Sequence, residues 1–219
     1  MKIDTFTFIR FLDFQTLENR LILNRLIVFI SFLLTISASI NAQEKTNTLI
    51  TPSYLKKGDT IAIVAPAGIL IKRITTVLEA KRLAEKWGLH VVLGENIFNQ
   101  NNHFAGTDAE RAADFQSALD NKNIKAIWVA RGGYGSVRIL DLLDFSTFKQ
   151  YPKWIIGYSD ITAFHGHVHN FGVETIHGML ATSLEEKPEE IILSYQVYLK
   201  SNANILSIIE NIRIKMIFF

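Results

Sequence analysis

One feature constrains the fold of this chain more than any other. Between residues 60 and 178, short apolar β-rich runs alternate with segments of helical spacing. Residues 60–65, Thr-Ile-Ala-Ile-Val-Ala, form a compact run ended by Pro66. Its apolarity is continuous, not alternating, which predicts a strand covered on both faces. Over residues 74–87, Ile74, Val77, Leu78, Leu83 and Ala84 share one helical face, with Lys81, Arg82, Glu85 and Lys86 outside. Gly88 is a helix stop, and residues 89–93 form the next strand. A strand, a helix of crossover length and a second strand predict a parallel pair.

The pattern then repeats. Thr107 with Glu110 is a capping box for a helix over 108–119 that buries Ala112, Phe115 and Leu119. A strand over 124–130 leads into the glycine turn Arg131-Gly132-Gly133-Tyr134-Gly135. A helix over 136–143 follows, with Val137, Leu140 and Leu143 inward. A strand over 154–156 leads to Ser159 and a helix over 161–170, and residues 172–178 give a last short strand and turn. The fold class expected is α/β, an open, doubly wound parallel sheet. Ligands of such sheets sit at the carboxyl ends of the strands. Residues 66–68, the glycine turn and Ser159 all fall there.

Two of these strand ends carry chemistry. Gly157-Tyr158-Ser159-Asp160-Ile161 matches half of a nucleophile elbow, with Ile161 where a hydrolase elbow has glycine. Ser159 is therefore a candidate nucleophile, and the competing reading is a helix N-cap. The Gly132–Gly135 turn is either the device by which the chain leaves its strand or a nest of N–H groups for an anion or oxyanion. A dinucleotide fingerprint is disfavoured, because Arg138 stands at its third glycine and no suitable acid follows about twenty residues on. His165 and His169 lie one helical turn apart, but no carboxylate beside them completes a metal set, so surface or helix-flank roles are expected for His165, His167 and His169. His177 either lines the site or is held by a buried hydrogen bond.

Composition narrows the chemistry further. The chain has no cysteine, which removes disulfides, thiolate nucleophiles and cysteine-ligated metal. A net charge of +2 gives no pointer to nucleic acid. Near the start, residues 26–36 are apolar apart from Ser31 and Thr35, with Arg20 and Arg25 before them and small or polar residues after. This is the layout of a secretory signal, with cleavage expected after Ala42 despite the large Ile40. The run is shorter than the ~20 apolar residues that span a bilayer. An exported, periplasmic protein is the expectation, and an uncleaved membrane anchor is the alternative.

The ordered set Ile63-Val64-Ala65-Pro66-Ala67, Phe104-Ala105-Gly106-Thr107, Arg131-Gly132-Gly133-Tyr134-Gly135, Ile156-Gly157-Tyr158-Ser159-Asp160-Ile161-Thr162 and Ile176-His177-Gly178 closely resembles the LD-carboxypeptidase family of serine peptidases, which includes the microcin-immunity peptidases. The resemblance covers about residues 51–190 and implies a Rossmann- or flavodoxin-like N-terminal domain. It implies release of the terminal D-alanine from murein tetrapeptide during peptidoglycan recycling, with a Ser-His-Glu triad and neither metal nor cofactor. By the resemblance Ser159 is the nucleophile, and the amides of Asp160 and of Gly132 or Gly133 form the oxyanion hole. Tyr134, Pro66 and His177 are further candidates to meet the peptide substrate, and intact members of the family form homodimers.

The family's Glu and His come from a second, C-terminal domain, and there this chain departs from the pattern. Residues 191–219 hold no histidine, and Glu210 is their sole acid. The expected organisation is an extension and signal-like segment over 1–42, the α/β domain over 43–190 and an atypical tail over 191–219. The second domain is expected to be missing, and the chain to be a truncated member that is inactive or impaired alone. A muropeptide-binding module without catalysis and a non-functional fragment are the competing readings.

Overall fold

The computed structural model describes residues 20, 22, 24–32 and 49–200. The expectations for residues 1–19, the cleavage site after Ala42, Glu210 and the chain end lie outside the described residues. The chain divides into two units, residues 1–47 and 48–219. In the first, residues 24–32 are helical and exposed. Among the described residues no helix is long and apolar enough to cross a membrane.

The second unit is built on five parallel strands: β1 (Thr60–Val64), β2 (His90–Leu93), β3 (Ile124–Val129), β4 (Trp154–Gly157) and β5 (Ile176–His177). Their order is β2-β1-β3-β4-β5. This is the doubly wound arrangement with its switch point between β1 and β3. The connecting helices are α1 (Ile74–Lys86), α2 (Asp108–Asp120), α3 (Ser136–Leu140), α4 (Ser146–Gln150) and α5 (Thr162–His169), and α6 (Glu189–Lys200) follows β5.

The central strands β1, β3 and β4 are largely apolar because each contributes to two cores. Ile61, Ile63, Ala126, Trp128, Trp154 and Ile156 face α1. Ala62, Val64, Ile127, Val129 and Ile155 face α2 and α5. In the second core Phe115 and Phe164 stack with ring centroids 4.3 Å apart. Each such fully buried side chain contributes about 1.5–3 kcal/mol. The capping box forms as expected: Thr107 Oγ1 accepts the Glu110 N–H at 3.2 Å, and the Glu110 carboxylate accepts the Thr107 N–H at 2.7 Å.

Three local expectations are corrected. The buried face of α1 is Thr76, Val77, Ala80 and Ala84, while Ile74 is exposed. Small alanines bring this helix close to the sheet, and the 3-10 turn Ile71–Arg73 sets the angle at which it starts. The helix after the glycine turn is only Ser136–Leu140, and Ile139 is its inward residue while Val137 is exposed. Finally, α6 runs through position 191 without a break. Its Leu199 is buried in the core, and its carbonyl accepts the Leu55 N–H at 2.9 Å. The compositional change at Ile191 thus falls within a helix.

Candidate active site

Ser159 stands immediately past the end of β4 with φ +65°, one of two non-glycine residues at positive φ among the described residues. A positive φ at a side-chain-bearing residue is a strained conformation that persists only where the surroundings impose it. Here the chain must turn sharply from strand to helix within Tyr158–Ile161. Gly157 makes this possible: a Cβ at that position would lie 2.9 Å from Ile161 Cγ1. The side chain of Ser159 does not cap the following helix. The conformation is that of an exposed elbow, not of an N-cap.

The glycine turn meets this elbow. A Cβ placed on Gly132 would sit 3.3 Å from Ser159 Cβ and 3.6 Å from Ser159 Oγ. Gly133 and Gly135 take φ of +108° and +146°, which turns successive amides of the loop. Neither the Gly132 nor the Gly133 amide donates a hydrogen bond among the described residues. The Asp160 carboxylate reaches across to accept the Ser136 N–H at 2.8 Å, locking the elbow to the start of α3. On the other side the Gly68 N–H donates to the Gly132 carbonyl at 3.2 Å, locking the turn to the loop after β1.

Arg111, from α2, fastens the same loops from below. It is 1% exposed and donates to the carbonyls of Pro66 and Gly135 and to Asp108. Burial lowers its pKa, and Asp108 opposes that shift. Asp108 is held below the usual carboxylate range first by its hydrogen bond from Arg138. This ion-pair cluster gives the turn a rigid floor.

A pocket of about 250 Å³ opens beside Ser159, Gly132 and Gly133. Tyr158, Leu180, Thr182 and Ser183 form its far wall. That wall is fixed to the sheet: Trp128 Nε1 donates to the Met179 carbonyl at 2.7 Å, and Thr182 Oγ1 to the Ala130 carbonyl at 2.8 Å. Arg73 and Arg131 complete the lining.

The structure thus brings together Ser159, Asp160, Gly132 and Gly133, and leaves three other candidates outside this pocket. Pro66 is buried with its carbonyl on Arg111. Tyr134 is 57% exposed and packs toward Phe104, with ring centroids 6.2 Å apart. His177 is exposed, its ring 5.7 Å from His165 and 6.3 Å from Tyr158. Of the other histidines, His165 bonds through Nε2 to the Gly157 carbonyl at 2.9 Å, and His167 packs on Phe145 and Phe171. Among the described residues no side chain makes a hydrogen bond to Ser159 Oγ, and no group of side chains could hold a metal ion. Arg73, Thr182 and Ser183 carried no local sequence signal, unlike Arg131 beside the glycine turn. They come to the site through loops distant in the chain.

Residues 61–178 match the LD-carboxypeptidase N-terminal domain. The chain is 41% identical over 136 residues to the "Probable murein peptide carboxypeptidase" of Bacillus subtilis, an alignment covering 61% of this chain and 42% of that protein. It is 34% identical over 154 residues to the murein tetrapeptide carboxypeptidase of Pseudomonas aeruginosa, covering 69% of this chain and 49% of that one. Among solved structures, an MccF-like protein from Bacillus anthracis superposes with a TM-score of 0.64 at 28% identity, covering 69% of this chain and 47% of the other. The chain spans about half the length of the curated relatives it matches.

Proposed function

The chain belongs to the LD-carboxypeptidase family, and from that premise we propose that it carries the nucleophile and oxyanion half of a serine carboxypeptidase acting on murein peptides. The observation that carries this reading is the positive φ of Ser159 at a strand end, packed against Gly132. An elbow of this kind presents Oγ to a bound carbonyl while the next amide, that of Asp160, faces the developing oxyanion. The Gly132 or Gly133 amide, without an internal partner, is the second donor. Oγ attacks the carbonyl carbon of the terminal peptide bond, and the D-alanine amine leaves after taking a proton.

This step needs a base, which takes the Ser159 proton and returns it to the leaving amine; water then hydrolyses the acyl-enzyme with the same group as base. None bonds to Oγ among the described residues, and we assign the base to a histidine–glutamate pair on a second domain, as the family resemblance implies. A serine lacking its base keeps only the share of catalysis due to the oxyanion hole and binding, about 10³–10⁴-fold over water. The expected behaviour of this chain alone is therefore peptide binding with slow or no turnover.

The test is release of D-alanine from murein tetrapeptide by this chain, alone and mixed with the C-terminal domain of the Pseudomonas aeruginosa relative. Turnover that appears on mixing and vanishes with Ser159→Ala supports the reading. Turnover that survives Ser159→Ala sinks it. Saturable binding with no release under any mixing favours a binding module, for which the unpaired Ser159 Oγ is the supporting observation. Export is part of the same proposal, supported by the basic-flanked apolar run at residues 26–36. N-terminal sequencing of the protein recovered from the producing cells tests it, with a mature start at Gln43 expected.

A further inference from the structure

Two guanidinium groups line the pocket of Ser159, and nothing in the mechanism above uses them. Arg131 precedes the glycine turn, and its Nη1 donates to the Ile69 carbonyl at 2.5 Å, which fixes the direction of its side chain. Arg73 ends the 3-10 turn Ile71–Arg73 on the opposite rim. Among the described residues, no carboxylate forms an ion pair with either. Arg111 and Arg138, by contrast, both pair with Asp108. Two like charges left to face one cavity repel each other, and a bound anion relieves that cost.

Resting on the carboxypeptidase reading, we propose that Arg73 and Arg131 bind the free α-carboxylate of the peptide's C-terminal residue. This clamp makes the site an exopeptidase site: a peptide continuing past the scissile bond by more than one residue places no charge there. The pocket volume of about 250 Å³ falls below the ~300–1,000 Å³ of drug-sized ligand sites. It accommodates one small residue with its carboxylate. Leu180, buried beneath the wall, supplies an apolar contact for a short side chain such as a methyl group.

The experiment is a calorimetric titration of the whole chain carrying Ser159→Ala, so that binding is read without chemistry. The probes are N-acetyl-L-lysyl-D-alanine and the same compound with its carboxylate converted to a primary amide. The acid is expected to bind at least about 10-fold more tightly than the amide, through charge-assisted hydrogen bonds. That preference is expected to shrink between 0.05 and 0.5 M salt. Arg73→Gln should remove most of the preference, chiefly by weakening binding of the acid. Arg131→Lys, which keeps charge but loses the fixed fork, should reduce it partially. Equal binding of acid and amide, full preference in Arg73→Gln, or binding of neither probe overturns the proposal. Because Ser159 is absent from every one of these titrations, failure here is separate from failure of the nucleophile assignment.

Discussion

Asp160 Oδ2 accepts the backbone N–H of Ser136 at 2.8 Å, so the residue after the candidate nucleophile is tied to the first residue after the glycine turn. The link spans the loops after β3 and β4. It holds the two proposed oxyanion donors, the amides of Asp160 and of Gly132 or Gly133, at a constant separation. Preorganised donors of this kind act without reorganising during reaction.

Asp160→Ala should therefore loosen the site as well as lower stability. A hydrogen bond to a charged acceptor is worth about 1.5–3 kcal/mol. Loss of that order is expected for Asp160→Ala in urea denaturation, with Asp160→Asn losing less because the amide oxygen still accepts. Unchanged stability in both variants would contradict the bridging role.

Arg111 is the second fastening. Arg111→Met keeps much of the side-chain volume but leaves the Pro66 carbonyl without its donor, while the Gly135 carbonyl keeps its bond from the Arg138 N–H. A buried acceptor left unpaired costs about 1–3 kcal/mol, so a loss of at least about 1 kcal/mol is expected. The Phe104 ring, stacked over the Arg111 guanidinium at 4.8 Å, should show it as a changed aromatic chemical shift.

Much of this was legible in the sequence because it rests on local rules. Unbroken apolar runs such as Ile61–Val64 and Ala126–Val129 gave the buried parallel strands, and Thr107 with Glu110 gave a helix start to the residue. Ser159 and the glycine turn stood out because turn residues end strands. What stayed hidden depends on contacts between distant segments. The face of α1 turned on Ala80 and Ala84, whose small size matters only once the sheet is known. Arg73 shares a pocket with Arg131 only because β1 and β3 are neighbours at the switch point. The role of Asp160 as an acceptor for Ser136 is invisible until the loops after β3 and β4 meet.

His165 makes the elbow sensitive to acid. Its Nε2 lies on the Gly157 carbonyl, its Nδ1 is buried without a partner, and burial lowers its pKa below 6.5. The folded state thus prefers the neutral ring, while the unfolded chain takes up a proton more readily. The resulting stability is present above the unfolded pKa and is lost as pH falls through the folded one. Thermal melts from pH 7.5 to 5 should show a larger drop for the native protein than for His165→Asn. Parallel curves would assign the acid sensitivity to another group.

Lys153 runs the linkage in the alkaline direction. Its side chain is 1% exposed, and its Nζ donates to the carbonyls of Ala118, Leu119 and Asn121 at 2.8–2.9 Å, closing the C-terminus of α2. Burial lowers its pKa to about 8 from an ordinary 10.5. Between these values the unfolded chain binds more protons than the folded one, so this group's contribution to stability rises with pH from about 8 to 10.5. Below that window the folded state bears the cost of a buried charge, offset by three charge-assisted hydrogen bonds at a helix end where a cation is favoured. The measurement is the stability difference between the native protein and Lys153→Met, by urea denaturation at pH 7 and at pH 10. Met fills the space but leaves the α2 carbonyls unpaired, so the variant should be less stable at both. The difference should widen by about 2–3 kcal/mol at the higher pH. A difference that narrows instead would mean that the ammonium form, held by its three carbonyls, is the one the fold prefers.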